Sequence, residues 1–152
     1  MRLPAIALLS CALASCAGAP PAPRALDLGI AAAAPIASLN VGSVRAMAPF
    51  DGVDMYYRLA WRNAAELAAF TTSVWASPPP ELLRKQLLRA SREGVGKCTV
   101  DIEIHEFTQV FGSKDASDSR IDLRAWVTAR SGRFASRGWS IVEPNAGADA
   151  AS

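Results

Sequence analysis

Asp101, Glu103 and His105 occupy alternate positions of the stretch Val100-Asp101-Ile102-Glu103-Ile104-His105, so an extended backbone turns all three to one face. Two carboxylates beside an imidazole are chemically fit to bind a metal or to move a proton. Their spacing argues otherwise. Neighbours on one face of a strand stand about 7 Å apart, too far for three of them to meet one ion without strain. The pattern favours the solvated face of an amphipathic strand. His105 is the single histidine, which leaves no HExxH pair, and the chain has no Gly-x-Ser-x-Gly elbow and no glycine-rich phosphate loop. Cys98 has Lys97 beside it, and a lysine can lower a thiol pKa; a lone cysteine opening a strand reads rather as buried filler. The expectation is a protein with no catalytic residues, no metal and no cofactor.

Cys16 carries a different chemistry. Met1-Arg2 supplies a minimal positive start, residues 3–14 are apolar except for Ser10, and Leu13-Ala14-Ser15 leads into Cys16. That order matches a bacterial lipoprotein signal: the peptidase needs small side chains at the scissile bond, and the transferase needs a thiol to carry diacylglycerol. The apolar run is too short for a permanent membrane span. Leu8-Leu9-Ser10-Cys11 competes, but it leaves a shorter apolar run and puts bulky Leu9 next to Ser10. The plainer alternatives are an ordinary secretion signal or a hydrophobic N-terminus that is not exported. Two acyl chains on Cys16 and an amide-linked third, such as palmitate, would anchor the chain permanently, at about 0.8 kcal/mol for each buried methylene. Ala17 follows, with nothing acidic to retain the protein at an inner membrane. The expected location is therefore the outer membrane, lipid-anchored and facing the periplasm. Once the leader and Cys11 are removed, Cys98 is the only free thiol, and a disulfide within the chain is excluded.

These residues sit in a chain of 152 residues, sized for one domain. Half its residues are hydrophobic, and 16 basic against 14 acidic residues give a formal charge of +2. A nucleic-acid partner would call for a stronger, clustered basic excess. Residues 1–15 read as the leader, 16–37 as an Ala/Pro-rich tether, 38–144 as the folded domain, and 145–152 as a tail or the start of a truncated helix. Within the tether, Leu26-Asp27-Leu28-Gly29-Ile30 is apolar enough for an edge strand.

Alternation predicts strands at residues 39–44 and at Met55-Tyr56-Tyr57-Arg58-Leu59-Ala60-Trp61. Glu66-Leu67-Ala68-Ala69-Phe70-Thr71 has a helical composition, yet its place after a strand and a turn also suits a hairpin partner. Ser77 is positioned to cap a helix whose first turn tolerates Pro78, Pro79 and Pro80. Leu83, Leu87 and Ala90 would form its apolar stripe, widened by Leu82, with Arg84, Lys85, Arg89 and Arg92 outside and Gly94 as C-cap. Residues 97–111 predict a long strand whose apolar phase slips near Glu106, which a β-bulge would explain. A polar loop over 112–119, a strand at 121–127, a turn at Ser131-Gly132-Arg133 and a last strand at 134–142 complete a meander. The fold class expected is α+β, a mainly antiparallel sheet packed on one face by one clear helix. By residue type the four tryptophans belong in a core or an interface. Trp126 shares a face with Asp122, Arg124 and Thr128 and is expected as a partly exposed contact.

The lipobox at Cys16, Tyr56-Tyr57-Arg58, Trp75-Ala76-Ser77-Pro78-Pro79 with Leu82, Leu83 and Leu87, and Glu106-Phe107-Thr108-Gln109-Val110-Phe111 occur in an order that resembles the ABC-type transport auxiliary lipoprotein family. The resemblance spans residues 39–144. It implies a non-enzymatic component of an intermembrane lipid transport system, in which an ABC permease and ATPase are paired with an MCE-domain protein that carries lipid across the periplasm. It also implies that Cys16 is the one covalently functional residue, and that Trp75, Phe107 and Phe111 have packing or partner-contact roles. Family members continue past the last strand into an amphipathic helix. Here the chain stops at Gly147-Ala148-Asp149-Ala150-Ala151-Ser152, so the C-terminal helix of the family is expected to be missing. Apolar area exposed for that reason would favour homo-oligomers. The alternative is a structural or assembly lipoprotein of the outer membrane unrelated to lipid transport.

Overall fold

The structure, a computed structural model, describes residues 21–29, 39–91, 98–129, 131–132 and 134–145. Alternating apolar and polar side chains put most of these into strands: β1 (Arg24–Leu26), β2 (Leu39–Ala46), β3 (Asp54–Leu59), β4 (Ala68–Trp75), β5 (Cys98–Phe111), β6 (Ser117–Ala129) and β7 (Phe134–Pro144). A single helical turn, α1 (Ala60–Asn63), follows β3, and one full helix, α2 (Pro79–Ala90), follows β4. The strands form one sheet in the order β1-β4-β3-β5-β6-β7, with β2 also paired to β5.

β5 is the spine of the sheet. Along one side it pairs antiparallel with β6 over its whole length. Along the other it takes two strands in succession, both parallel. β2 runs from Leu39 against Cys98 to Ala46 against Ile104, and β3 runs from Tyr56 against Thr108 to Leu59 against Phe111. The α+β class holds, but the sheet is mixed rather than mainly antiparallel: β1 with β4, β2 with β5 and β3 with β5 are parallel. A parallel pair needs a long crossover, and the segment between β3 and β5, which holds β4 and α2, supplies it. Alternation along a strand carries no sign of its neighbour's direction. The β5–β6–β7 meander is as expected, and Gly132, at φ +78°, makes the turn before β7.

The phase slip in β5 is a bulge at His105. Ile104 faces Leu123 and Glu106 faces Asp122, so His105 has no opposite residue. Before it, Ile102 and Ile104 are buried, Ile104 completely. Beyond it the core-facing set shifts to Phe107 and Phe111. β2 has its own irregularity between Val41 and Val44. Gly42 is required there, because a Cβ would lie 2.6 Å from Oδ1 of Asp101 and 3.1 Å from the carbonyl oxygen of Val100.

Several expected boundaries move. Residues 68–71 of the 66–71 segment are strand, the start of β4, which is the hairpin partner of β3, while Glu66 and Leu67 belong to the connection before it. β3 stops at Leu59, so Ala60 and Trp61 enter α1. The edge strand covers Arg24–Leu26 and not residues 27–29, Ile30 lying outside the described residues, and it pairs with β4 inside the stretch expected as tether. Ser77 does not cap α2. Pro78 holds that position, Pro79 and Pro80 fill the first helical positions, and Glu81 places its negative charge in the first turn. The inward face of α2 runs through Pro79, Leu82 and Ala90, while Leu83 and Leu87 are half-buried. The helix ends at Ser91, whose N–H donates to the carbonyl of Leu87; Gly94 and Arg92 lie outside the described residues.

α2 lies against β2 and β5. It is fastened to the segment after β1 by Lys85 Nζ, 2.8 Å from Asp27 Oδ2, and by Gln86 donating to the Gly29 carbonyl. At the other end of the sheet, Trp139, Ile141 and Val142 of β7 remain exposed. Among the described residues, no helix is long and apolar enough to cross a membrane.

Candidate functional site

Registry divides the side chains of the sheet between two faces. Asp101 faces Trp126, Glu103 faces Arg124 and Glu106 faces Asp122, and these positions share the polar face. The expected Asp101, Glu103 and His105 set is therefore on one face, as an ion-pair ladder. Glu103 is shared between Arg45 Nε at 2.7 Å and His105 Nε2 at 3.1 Å. Asp101 accepts from the backbone N–H of Ser43 at 2.8 Å and from its hydroxyl at 2.6 Å, and these bonds hold its carboxyl below the usual range. Burial pushes the carboxyl of Asp122 up. Hydrogen bonds from Ser140 and Arg120 outweigh that and leave it below its ordinary value. Asp101 and Asp122 thus each have neighbours that stabilise the charged form. Among the described residues, no group of three ligating side chains is placed to hold a metal.

Arg58 of β3 reaches Glu106 with two nitrogens, Nε to Oε1 at 2.8 Å and Nη2 to Oε2 at 3.2 Å. Donating to this carboxylate, more than the attraction of its charge, raises the guanidinium pKa. Thr108 also donates to Oε1, at 2.9 Å.

The opposite face holds an apolar cleft of about 250 Å³. Trp75, at the end of β4, and Phe107, just past the β5 bulge, pack in a tilted contact with ring centroids 5.1 Å apart and planes inclined at 56°. Leu28, Met55, Phe70 and Ile121 add apolar wall. Amides and hydroxyls fill one end: Gln109 Nε2 donates to Ser117 Oγ at 2.7 Å, and Ser119 Oγ donates to Asn145 Oδ1 at 2.8 Å. An apolar hollow with one hydrogen-bonding end, and with Arg120 also in its lining, fits an amphiphile or an apolar side chain.

The predicted contact residues separate. Trp75 and Phe107 meet in the cleft. Phe111 is buried, its ring edge-on to Tyr57 at 6.1 Å, and so has a packing role. Trp126 is half-buried on the polar face with the guanidinium of Arg45 5.8 Å from its ring centre. Cys98 is a free, half-buried thiol at the start of β5. Cys16, Cys11 and Lys97 lie outside the described residues. Sequence reasoning missed Leu28, Met55, Phe70, Ile121 and Asn145 as cleft residues. Alternation could have pointed to Phe70 and Ile121. No local signal marks Asn145, which arrives by the pairing of β7 with β6.

No family model matches the sequence, and no curated protein matches it. Solved structures do match the fold. One is the crystal structure of a Xanthomonas campestris protein assigned to the family model DUF330, at TM-score 0.63 and 20% identity, covering 86% of this chain and 80% of that one. Another, of an uncharacterized protein, matches at TM-score 0.61 and 15% identity over 80% of each chain. At these identities the likeness is one of fold.

Proposed function

We propose that this chain is an outer-membrane-anchored periplasmic lipoprotein, acylated on Cys16, that serves as a non-enzymatic auxiliary component of an ABC/MCE-type lipid transport system. The observation that carries the reading is the convergence of three separated motifs. Arg58 of Tyr56-Tyr57-Arg58 clasps Glu106, Tyr57 packs on Phe111, and Trp75 of the Trp-Ala-Ser-Pro-Pro stretch packs against Phe107. Residues that resemble the auxiliary lipoprotein family thus share one structural unit. The fold is also that of a DUF330 protein, the designation corresponding to that family.

In this role the domain is a docking body held at the membrane by its anchor. The apolar cleft would receive a partner or lipid segment, and the polar face would stay solvated. The full chain, extracted in mild detergent, should co-purify with the MCE-domain protein of the same cell. A folded protein that never co-purifies would sink the proposal and leave the assembly-lipoprotein alternative. Labelling with radioactive palmitate tests the anchor separately. Cys16→Ser should abolish incorporation and Cys11→Ser should preserve it; the reverse would move the anchor to Cys11.

A further inference from the structure

β7 is a terminal strand of the sheet, and among the described residues nothing pairs with its outer edge. A long open edge with exposed apolar side chains is a template for another strand. Which residues offer their main chain outward follows from the ladder. The N–H of Asn145 donates to the carbonyl of Ser117 at 2.9 Å, in register with the β6–β7 pairing. In an antiparallel ladder the bonded positions alternate, so Glu143, Ile141, Trp139 and Arg137 bond to β6. Val142, Ser140, Gly138 and Ser136 then turn their N–H and C=O groups outward. Pro144, which has no N–H, falls at the end of that row.

We propose that this edge pairs with the same edge of a second copy, antiparallel about a two-fold axis through Ser140. Positions equidistant from Ser140 then face each other. Arg137 meets Glu143 of the second copy, and Trp139 meets its Ile141. These four share the face that carries Ala125, Leu123 and Ile121 on β6. On the other face, Gly138 leaves room for Val142 of the second copy. Trp139, Ile141 and Val142 are 39%, 41% and 51% exposed, so the pairing covers the apolar groups this edge leaves open.

No neighbouring register does as well. Centring on Trp139 puts Arg137 against Ile141 and Glu143 against Ala135. Centring on Ile141 puts Trp139 against Glu143 and Arg137 against Asn145. Arg137, now 5.5 Å from the Trp139 ring centre, gains a carboxylate partner only in the Ser140 register. The strand is self-complementary in both charge and shape, which is what an isologous contact requires. The inference does not depend on the transport reading.

The test uses the full chain in density-matched detergent, followed by sedimentation equilibrium. The wild type should form dimers. Arg137→Glu, which sets like charges opposite each other twice, should raise the dissociation constant about tenfold or more. Adding Glu143→Arg should restore the wild-type value, since the swap recreates both pairs. Circular dichroism of each variant separates lost pairing from lost folding. A second measurement fixes the register. Ser140→Cys should give a disulfide-linked dimer on mild oxidation, because facing bonded residues have Cα atoms about 5.5 Å apart, within disulfide reach. Ser136→Cys, which faces Pro144 instead, should not. A wild-type monomer overturns the proposal. So does an assembly indifferent to Arg137→Glu, a folded double swap that stays dissociated, or equal crosslinking at both cysteines.

Discussion

The guanidinium of Arg58 on β3 and the carboxylate of Glu106 on β5 form a two-pronged pair at 2.8 and 3.2 Å, one residue past the bulge at His105. The pair bridges two parallel strands beside the point where the apolar phase of β5 changes. Arg58 also donates to the carbonyls of Ala64 and Ala65, which ties the turn after α1 to the same place. Both partners are part-buried, with side-chain exposures of 22% and 16%. Removing one leaves the other partly desolvated and unpaired. Glu106→Ala should lower stability by about 2 kcal/mol, between the values typical of exposed and of buried pairs. Urea denaturation of the full chain measures it. An unchanged midpoint would show that the pair is incidental.

Gly42 packs against β5 with no room for a side chain. The nearest clash is with a side-chain oxygen that can move, but the Val100 carbonyl at 3.1 Å is backbone. Gly42→Ala should therefore destabilise by about 1–3 kcal/mol, the usual range for overpacking. A neutral result would mean that β2 shifts freely along β5.

Asp101 makes stability depend on pH. Its hydrogen bonds from Ser43 lower the carboxyl pKa in the folded state below the ordinary 3.8. A lowered folded value contributes stability that is present above the ordinary carboxylate pKa and lost as pH falls through the folded one. Asp101→Asn should cost about 1 kcal/mol at pH 7, reduced by solvent at this open site. The gap between the melting temperatures of variant and wild type should close as pH drops below the ordinary value. A gap that stays constant with pH would exclude ionisation as its source.

His105 separates an adaptor from an enzyme. It is exposed at the bulge, has no residue opposite it, and meets the ladder at Glu103. His105→Ala should shift stability by no more than about 0.5 kcal/mol, as surface changes usually do. It should also leave complementation of a deletion strain intact. Loss of complementation by a folded variant would point to chemistry on the polar face.

Part of the fold could be read directly. The β5 bulge announced itself because Ile102 and Ile104 are even-numbered whereas Phe107 and Phe111 are odd-numbered, and a face cannot change parity without an inserted residue. The hydrophobic spacing and prolines of α2 located it within a few residues. Its inward stripe was misjudged by one position, since Leu82 and Leu83 are equally apolar and only the seat of the helix on the sheet chooses between them. The parallel pairings were not legible. Whether β2 and β3 run with or against β5 depends on how the intervening chain crosses over.

The same division holds for the candidate site. Local sequence determined that Asp101, Glu103 and His105 face together, that Trp126 stands beside charged residues, and that Cys16 follows an apolar run, because each is a matter of near neighbours and period. Only the tertiary structure decided that Trp75 meets Phe107, that Arg58 holds Glu106, and that the strand carrying Arg137 and Glu143 is an edge of the sheet. Those relations join residues through sheet register. Strand order, direction and bulges set that register, and no stretch of chain carries it alone.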